Sequence, residues 1–382
     1  MPVINRIADF ADQMTEWRRH IHAHPELCLE CHETAAYVAA RLRAFGVDRV
    51  ETGIGISGVV GIIEGSGQGA TVGLRADMDA LPMTEQTGLP HASTVPGRMH
   101  ACGHDGHTTM LLGAAKYLAE TRNFRGRVAV IFQPAEESLG GAKYMIDDGL
   151  MTRFDIAEVY ALHSLPGLAV GAFATCPGPI MAAADDWEVE ITAQGGHAAY
   201  PTEFVDPIAI AVQMAGVLNT IVSRNVDPIA NAVLSITRIH AGTTHNVVPE
   251  TAMLGGTVRT FDKAVKALIL SRMEAAIENT ARAMGGTARL TYNHGYPPTC
   301  NEPAKTAFAA RVAGEISTVR TDMAPTMGAE DFAYMLEEVP GSYLFVGNGD
   351  SALLHHPEYD FNDEAAPYGA SFLARVAEQA LA

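Results

Sequence analysis

Residues 71–79, TVGLRADMD, combine a short apolar run with two acidic residues that follow it directly. Three other runs, at 59–63, 128–132 and 159–162, are rich in β-branched residues and have the length of buried strands. Between these runs, residues 35–45 and 107–120 carry apolar side chains at helical spacing. The alternation predicts a layered α/β sheet, in which the active site lies at the carboxyl ends of the strands.

The pattern changes at about Asp186. Predicted strands at 187–194, 232–240, 251–261 and 287–293 enclose helical segments at 207–224 and 264–284. This βαββαβ order is typical of a ferredoxin-like module, which we place at residues 184–294. Residues 1–183 and 295–382 then form one discontinuous catalytic domain, completed by a helix at 304–316, a strand at 343–346 and a terminal helix after Asp363.

Composition excludes several classes of protein. A net charge of −18 repels nucleic acid and anionic lipid headgroups. The most apolar long stretch, residues 208–222, is shorter than the ~20 residues that span a bilayer and predicts a buried helix. The amino terminus lacks the apolar core of a signal peptide, and five cysteines do not make a disulfide framework. We therefore expect a cytoplasmic protein with no membrane partner.

Two short motifs have weak alternative interpretations. Residues 28–32, CLECH, match a haem-attachment pattern, and Cys28 with Cys31 alone match a redox pair, but both fit ordinary packed thiols better. Residues 53–58, GIGISG, match a dinucleotide fingerprint. These glycines precede a strand instead of following one, so a turn into that strand is favoured and a nicotinamide dehydrogenase is the weaker interpretation.

Five places concentrate side chains that can bind metals, and each follows a predicted strand or begins a helix. One cluster would be unremarkable, but five converging on one sheet edge favour a pair of divalent ions. Adjacent Glu136 and Glu137 suit a division between a general base and a ligand, although a solvated helix start explains the pair better when it is taken alone. The residues are Asp77 and Asp79; Cys102, His104, Asp105 and His107; Glu136 and Glu137; His163; and His355 and His356.

These motifs together resemble the aminoacylase and carboxypeptidase family of dinuclear metallohydrolases, and most of all its hippurate hydrolase and auxin-conjugate hydrolase branch. The resemblance runs in order over nearly the whole chain. It rests on RRHIHAHPEL, GLRADMDALP, MHACGHDGH, QPAEE, GGHAAYP, HNVVPE, GTVRTF, MGAEDF and LHHPEYDFND.

The resemblance implies a zinc-peptidase-like catalytic domain with Glu136 as the base and Asp79 orienting the site. The branch has His, any residue, Pro near its last ligand, which selects His355 over His356. Asp77 stands where other branches carry a ligand, and its role is left open. The implied metal ligands are Cys102, His104, Glu137, His163 and His355.

The resemblance also implies that the inserted module serves as a lid or dimerisation domain of a homo-oligomer, either a dimer or a tetramer. His197 would stabilise the oxyanion, and Asn246 with Arg259 would bind the substrate carboxylate. A surface histidine in a turn is the plain alternative for His197. Glu330 and Asp331 resemble a loop beside the site, but a helix start explains them almost as well.

The expected reaction is metal-dependent hydrolysis of an N-acyl amino acid to a carboxylic acid and an amino acid. A dipeptidase or carboxypeptidase on the same scaffold is the main alternative. A metal-binding or storage protein would keep the ligands but could dispense with Glu136. The thiolate of Cys102 favours zinc, whereas mixed imidazole and carboxylate ligands also suit manganese, cobalt or nickel.

Overall fold

The computed structural model describes residues 3–382 and divides them into two compact units. The first comprises the described part of Met1–Ile180 together with Thr299–Pro325 and Asp331–Ala382, and the second comprises Met181–Pro298 and Thr326–Glu330. The long second segment begins and ends within a few residues of the boundaries predicted at 184 and 294. The short segment Thr326–Glu330, assigned from the sequence to the catalytic domain, belongs instead to the second unit.

The first part of the chain builds most of an eight-stranded sheet and the helices against it. Buried β-branched and leucine side chains form its central strands, which explains their short apolar runs. Its elements are α1 (Asn5–Ala8), α2 (Ala11–Ala23), α3 (His32–Ala44), β1 (Arg49–Ile54), β2 (Gly58–Glu64), β3 (Thr71–Asp77), α4 (His104–Thr121), β4 (Arg127–Gln133), α5 (Gly141–Asp147), α6 (Leu150–Arg153), β5 (Ile156–Pro166), β6 (Phe173–Ala174) and β7 (Gly178–Met181).

The second unit contains a four-stranded antiparallel sheet with two long helices packed on it. Asp206 caps the first of these helices by accepting the Ile208 amide at 2.8 Å, and Asp262 caps the second. The elements are β8 (Ala183–Thr192), β9 (Gly196–His197), α7 (Pro207–Leu218), α8 (Ile221–Asn225), β10 (Ala232–Ala241), β11 (Val247–Val248), β12 (Thr251–Thr260), α9 (Lys263–Ala283) and β13 (Thr287–Tyr296).

The strand order of this sheet is β10-β12-β8-β13. Ignoring the two-residue strands, the chain runs βαββαβ, as the sequence predicts for a ferredoxin-like module. The helix predicted at 207–224 is divided at Asn219 and Thr220. The prediction that residues 208–222 are buried was wrong for one face, because Val212 is 65% exposed.

The last part of the chain completes the first unit. Its elements are β14 (Thr299–Asn301), α10 (Pro303–Gly314), β15 (Val319–Arg320), α11 (Ala333–Glu338), β16 (Gly341–Gly349), a 3-10 helix (Asp363–Ala365) and α12 (Ala366–Ala380). The large sheet has the order β1-β2-β4-β3-β5-β16-β6-β15, and helices α2 and α12 pack on α4. The predicted α/β class is confirmed. Within residues 3–382, no helix has both the length and the apolar character needed to cross a membrane.

The GIGISG segment forms the turn from β1 into β2, as favoured from the sequence. Gly53 and Gly55 have φ of 82° and 58°, a region that glycine adopts without strain. A Cβ at Gly55 would lie 2.7 Å from the Met145 amide nitrogen. The glycines thus serve a tight turn against α5, and the order of elements differs from that of a dinucleotide site.

Candidate metal centre

Parallel pairing brings the candidate residues to one edge of the large sheet. Strand β3 pairs in parallel with β4 and β5, and β5 pairs in parallel with β16. Asp77 ends β3, Glu136 and Glu137 follow β4, His163 lies near the end of β5, and the loop after β16 carries His355. Because the carboxyl ends of parallel strands share an edge, residues distant in the sequence converge there.

All five residues implied as metal ligands converge in this unit. The donor atoms of Cys102, His104 and His163 lie within 4.8 Å of one another, and so do those of Cys102, Glu137 and His355. We name these sets the buried donor group and the open donor group, since the first is buried whereas the His355 side chain is 53% exposed. Cys102 belongs to both groups, and its sulfur lies 3.4 Å from His163 Nε2.

Asp79 organises the centre from behind. Its two carboxylate oxygens accept the amides of Glu136 at 3.0 Å and Glu137 at 3.1 Å, which fixes the start of the QPAEE loop. Its main-chain oxygen lies 2.8 Å from His104 Nδ1. That contact holds a proton on Nδ1, so Nε2 is the ring nitrogen left for the centre. Burial would lower the pKa of His104, but the charge of Asp77 and the hydrogen bond to Asp79 raise it to about 10, so a bound cation would replace the proton on Nε2.

Two left-handed backbone positions aim side chains at the centre. Ala135, immediately before the glutamate pair, has φ of 57°, and its main-chain oxygen accepts the amides of Gly140 and Gly141. His355 has φ of 63° and donates its amide to Ala101 O at 2.8 Å. Left-handed conformations cost energy in residues other than glycine and concentrate at functional sites. Nothing in the sequence signalled either of them.

Asp77, whose role was left open, is already committed to protein partners. Its carboxylate accepts from Arg75 Nη1 and from His107 Nδ1, each at 2.7 Å. His107 Nε2 accepts the Ser164 amide at 2.8 Å, so both of its ring nitrogens are occupied. Burial alone would raise the pKa of Asp77, but the nearby charges of His104, Arg75 and His107 lower it. Asp77 and His107 therefore form a hydrogen-bonded pair whose polar atoms lie within 4.8 Å of those of His104.

Arg75 connects Asp77 to the more distant segment that contains Asp331. Its Nη2 donates to Asp331 Oδ1 at 2.8 Å, and its Nε donates to Gln133 at 2.8 Å. Asp331 also accepts the Ala142 amide at 2.9 Å. Asp331 is thus a buried anchor within the first unit, whereas buried Glu330 belongs to the second unit. An arginine within the apolar run of β3 was the sequence signal for this network.

The residues present fit divalent cations. His104 Nε2 and Glu137 Oε1 are buried and have no hydrogen-bond partner within residues 3–382, an unfavourable state for groups withdrawn from water. Burial, with the charges of Glu137 and Glu136, raises the pKa of the Cys102 thiol well above its usual range. Burial and His107 lower the pKa of His163, so its imidazole is neutral. Bound cations would satisfy these donors and stabilise the thiolate.

His356 and the cysteine pair are placed outside the donor groups. His356 is exposed, and its Nδ1 accepts the Glu358 amide at 3.2 Å within the same loop. Cys31 is buried, while Cys28 accepts a hydrogen bond from Ser138 Oγ at 3.1 Å. Cys28, Cys31, Cys102 and Cys176 form no disulfide in the described chain.

The remaining predicted site residues lie in the second unit. His197 pairs with Val247 across the two-stranded β9–β11 ribbon, and Asn246 directly precedes Val247. His197 and Asn246 are both exposed, and the Asn246 carbonyl accepts the Ala198 amide at 3.1 Å. Arg259 lies in β12, opposite Val233 and Ala184, and is half-exposed. The ribbon therefore brings His197 and Asn246 together, and Arg259 lies in a separate sheet.

The chain is similar to known proteins over most of its length. The sequence profile of peptidase family M20/M25/M40 matches residues 73–379. Hippurate hydrolase of Campylobacter jejuni is 39% identical over 99% of both chains, and thermostable carboxypeptidase 1 of Saccharolobus solfataricus is 41% identical over 90% of this chain and 88% of its own. A crystal structure of a Bacillus subtilis dinuclear metal-binding peptidase from the M20 family matches with a TM-score of 0.87 and 33% identity, covering 98% of this chain and 99% of that one.

Proposed function

Because the chain belongs to peptidase family M20/M25/M40, we propose that its first unit binds two divalent metal ions and hydrolyses the amide bond of N-acyl amino acids. The observation that carries this proposal is the convergence of five donor residues in two groups that share Cys102, with His104 Nε2 buried and without a hydrogen-bond partner among the described residues. The buried and open donor groups would each hold one ion, with Cys102 shared between them. A thiolate with imidazole and carboxylate donors favours zinc and also suits manganese, cobalt or nickel.

Two bound ions would supply Lewis acidity, which lowers the pKa of water and polarises an acyl carbonyl. Glu136 is the proposed general base. Its carboxylate lies within 4.8 Å of the donor atoms of His104 and Glu137, and it is nearly fully buried. Glu136 would accept a proton from the attacking water and return it to the leaving amine. Glu137, which shares the open donor group with Cys102 and His355, would be the ligand.

The second unit would supply substrate contacts. We assign oxyanion stabilisation to His197 and carboxylate binding to Asn246 and Arg259, in line with the family resemblance. Arg259 forms no ion pair with any described residue, so its guanidinium is available for a substrate carboxylate. A lid or dimerisation role for this unit, assembly as a dimer or tetramer, and a cytoplasmic location belong to the same proposal.

Glu136→Gln and Glu137→Gln test the division of roles. Glu136→Gln removes the proton acceptor but no ligand, so bound metal should persist while turnover falls by ~100-fold or more. Glu137→Gln replaces an anionic oxygen donor by a neutral one, so metal should be lost on dialysis and added metal should partly restore activity. Elemental analysis beside turnover decides between them, and the reverse pattern would show that base and ligand are exchanged.

A substrate panel distinguishes the proposed amidohydrolase from the carboxypeptidase alternative. The alternative is worth testing because one similar protein is a thermostable carboxypeptidase. N-acetyl, N-benzoyl and indole-acetyl amino acids should be compared with dipeptides, each in the presence of zinc, manganese or cobalt. The proposal expects higher kcat/KM for the N-acyl amino acids. Higher values for dipeptides across all metals would favour the alternative.

A further inference from the structure

A buried cluster of charges lies beside the metal centre and is not explained by the proposed chemistry. Arg18 and His22, one turn apart on α2, face carboxylates from three other segments. The Arg18 side chain is 1% exposed, and that of Asp105 is fully buried. We name this set the Arg18 cluster, and it consists of Arg18, His22, Glu85, Asp105, Asp360 and Asp363.

Arg18 joins the cluster to the loop that carries His355. Its Nε donates to Asp363 Oδ1 at 2.6 Å and its Nη1 donates to Asp360 Oδ1 at 2.8 Å, while Asp105 Oδ2 lies 3.7 Å from Nη1. Burial alone would lower the pKa of Arg18, but its hydrogen bond to Asp363 and the charges of Asp105 and Asp360 raise it. The guanidinium therefore stays positively charged and lies between two negatively charged segments, one with Asp105 and the other with Asp360 and Asp363.

The His355 loop, residues 350–362, contains no helix or strand, so its conformation depends on contacts with neighbouring segments. One contact is the hydrogen bond from the His355 amide to Ala101. Another is the Phe361 ring, which packs on Gly106 so closely that a Cβ there would lie 2.3 Å from it. Asp360 and Asp363 flank this ring in the sequence, and both are bound by Arg18.

These contacts of the His355 loop should matter most for the geometry of the open donor group. Its His355 side chain is half-exposed and lies on a loop, whereas the buried donor group is held by β5 and the start of α4. We infer that Arg18, though not itself a ligand, is a positioning residue that fixes His355 and so sets the metal affinity of the open donor group. The inference rests on the proposed metal centre.

The discriminating variant is Arg18→Lys. Lysine retains the charge beside Asp105 but cannot span Asp360 and Asp363 with a planar fork. Losing the partners that orient a ligand typically weakens metal binding by about 10- to 100-fold. We therefore expect the second zinc equivalent to bind about 10- to 100-fold more weakly in Arg18→Lys, with the first equivalent unchanged.

The measurement is zinc stoichiometry by elemental analysis after equilibrium dialysis against zinc buffers. His355→Ala serves as the reference for a protein whose open donor group has lost a ligand. Arg19→Lys is the matched control, because Arg19 is adjacent, is 50% exposed and binds Asp363 only from the solvent side. Asp360→Asn removes the charge that the loop presents to Arg18 Nη1 without changing Asp105, and it tests the same step if Arg18→Lys fails to fold.

The outcomes are separable. Selective weakening of the second equivalent in Arg18→Lys or Asp360→Asn, and not in Arg19→Lys, supports the inference. Equal weakening of both equivalents, or no change in either, overturns it. If the wild-type protein does not bind two zinc ions, or His355→Ala retains both, the proposed metal centre itself fails.

Discussion

The two units hold their proposed site residues in opposite ways. In the first unit, Asp79 and His104 are buried and every proposed metal ligand approaches others within 4.8 Å. In the second, His197 lies on a ribbon of two-residue strands, Asn246 directly precedes one of them, and both side chains are exposed. Buried donors are coupled to packing and charge balance, whereas exposed side chains are free of such coupling. Substitutions in the first unit should therefore alter metal content and stability together, and those in the second should alter turnover alone.

The largest effect is expected from Cys102→Ser. Cys102 is common to both donor groups, so its loss removes a thiolate from both ions at once. A serine hydroxyl stays protonated and is a far weaker ligand. We expect most bound metal to be lost and turnover to fall by more than the ~100-fold typical of changes outside the ligand set. Elemental analysis with kcat measurement tests this.

Cys28→Ser and Cys31→Ser are the matched controls, because both change a thiol of the same unit outside the donor groups. Metal content and turnover should stay near the wild-type values in both. A similar loss of metal in all three variants would remove the special status of Cys102.

A smaller effect, confined to chemistry, is expected from His197→Ala. Its ring has one hydrogen bond, accepting the Ala199 amide at 3.1 Å, so its removal should cost little stability. Losing one oxyanion donor typically lowers turnover by ~100-fold or more. Metal content and melting temperature should be unchanged. Exposed His245, in the same unit, supplies the control His245→Ala. Unchanged kinetics in His197→Ala would return it to an ordinary surface histidine.

Much of the architecture was predictable because it follows from the local spacing of apolar residues along the chain. The runs at 59–63 and 128–132 became β2 and β4, and the βαββαβ order of the second unit follows from alternating patterns. The convergence of the proposed ligands was predictable in part for a topological reason, since parallel strands bring their carboxyl ends to one edge. The branch resemblance was needed to choose His355 over His356.

The parts that were missed depend on long-range contacts or on backbone geometry. Arg18 meets Asp363 across 345 residues of sequence, and no local pattern encodes that pairing. The left-handed φ of Ala135 is imposed by its surroundings, since alanine does not favour it. Strands such as β6 and β11 contain two residues and are too short to show a period.

The smallest predicted effect is a pH dependence of stability that originates in the first unit. Burial would lower the pKa of His22, but the charge and hydrogen bond of Asp105, with the hydrogen bond to Glu85, raise it to about 9. The groups facing His22 are Asp105 on α4, Glu85 in the loop after β3, Arg18 on its own helix, and the rings of His91 and His100. The two carboxylates thus favour the protonated imidazole, and their effect outweighs that of Arg18, which opposes protonation.

Because the folded pKa of His22 exceeds the ordinary value of about 6.5, the folded protein binds this proton more tightly than the unfolded chain. Its contribution is fully present below pH 6.5 and is lost as the pH rises towards 9. One pKa unit corresponds to about 1.4 kcal/mol, so the loss should amount to a few kcal/mol at most. His22→Gln should flatten this decline in the free energy of unfolding between pH 6.5 and 9.5, whereas His24→Gln, at an exposed position of the same helix end, should preserve it. Parallel pH curves for the wild-type protein and His22→Gln would show that the buried imidazole is not the titrating group.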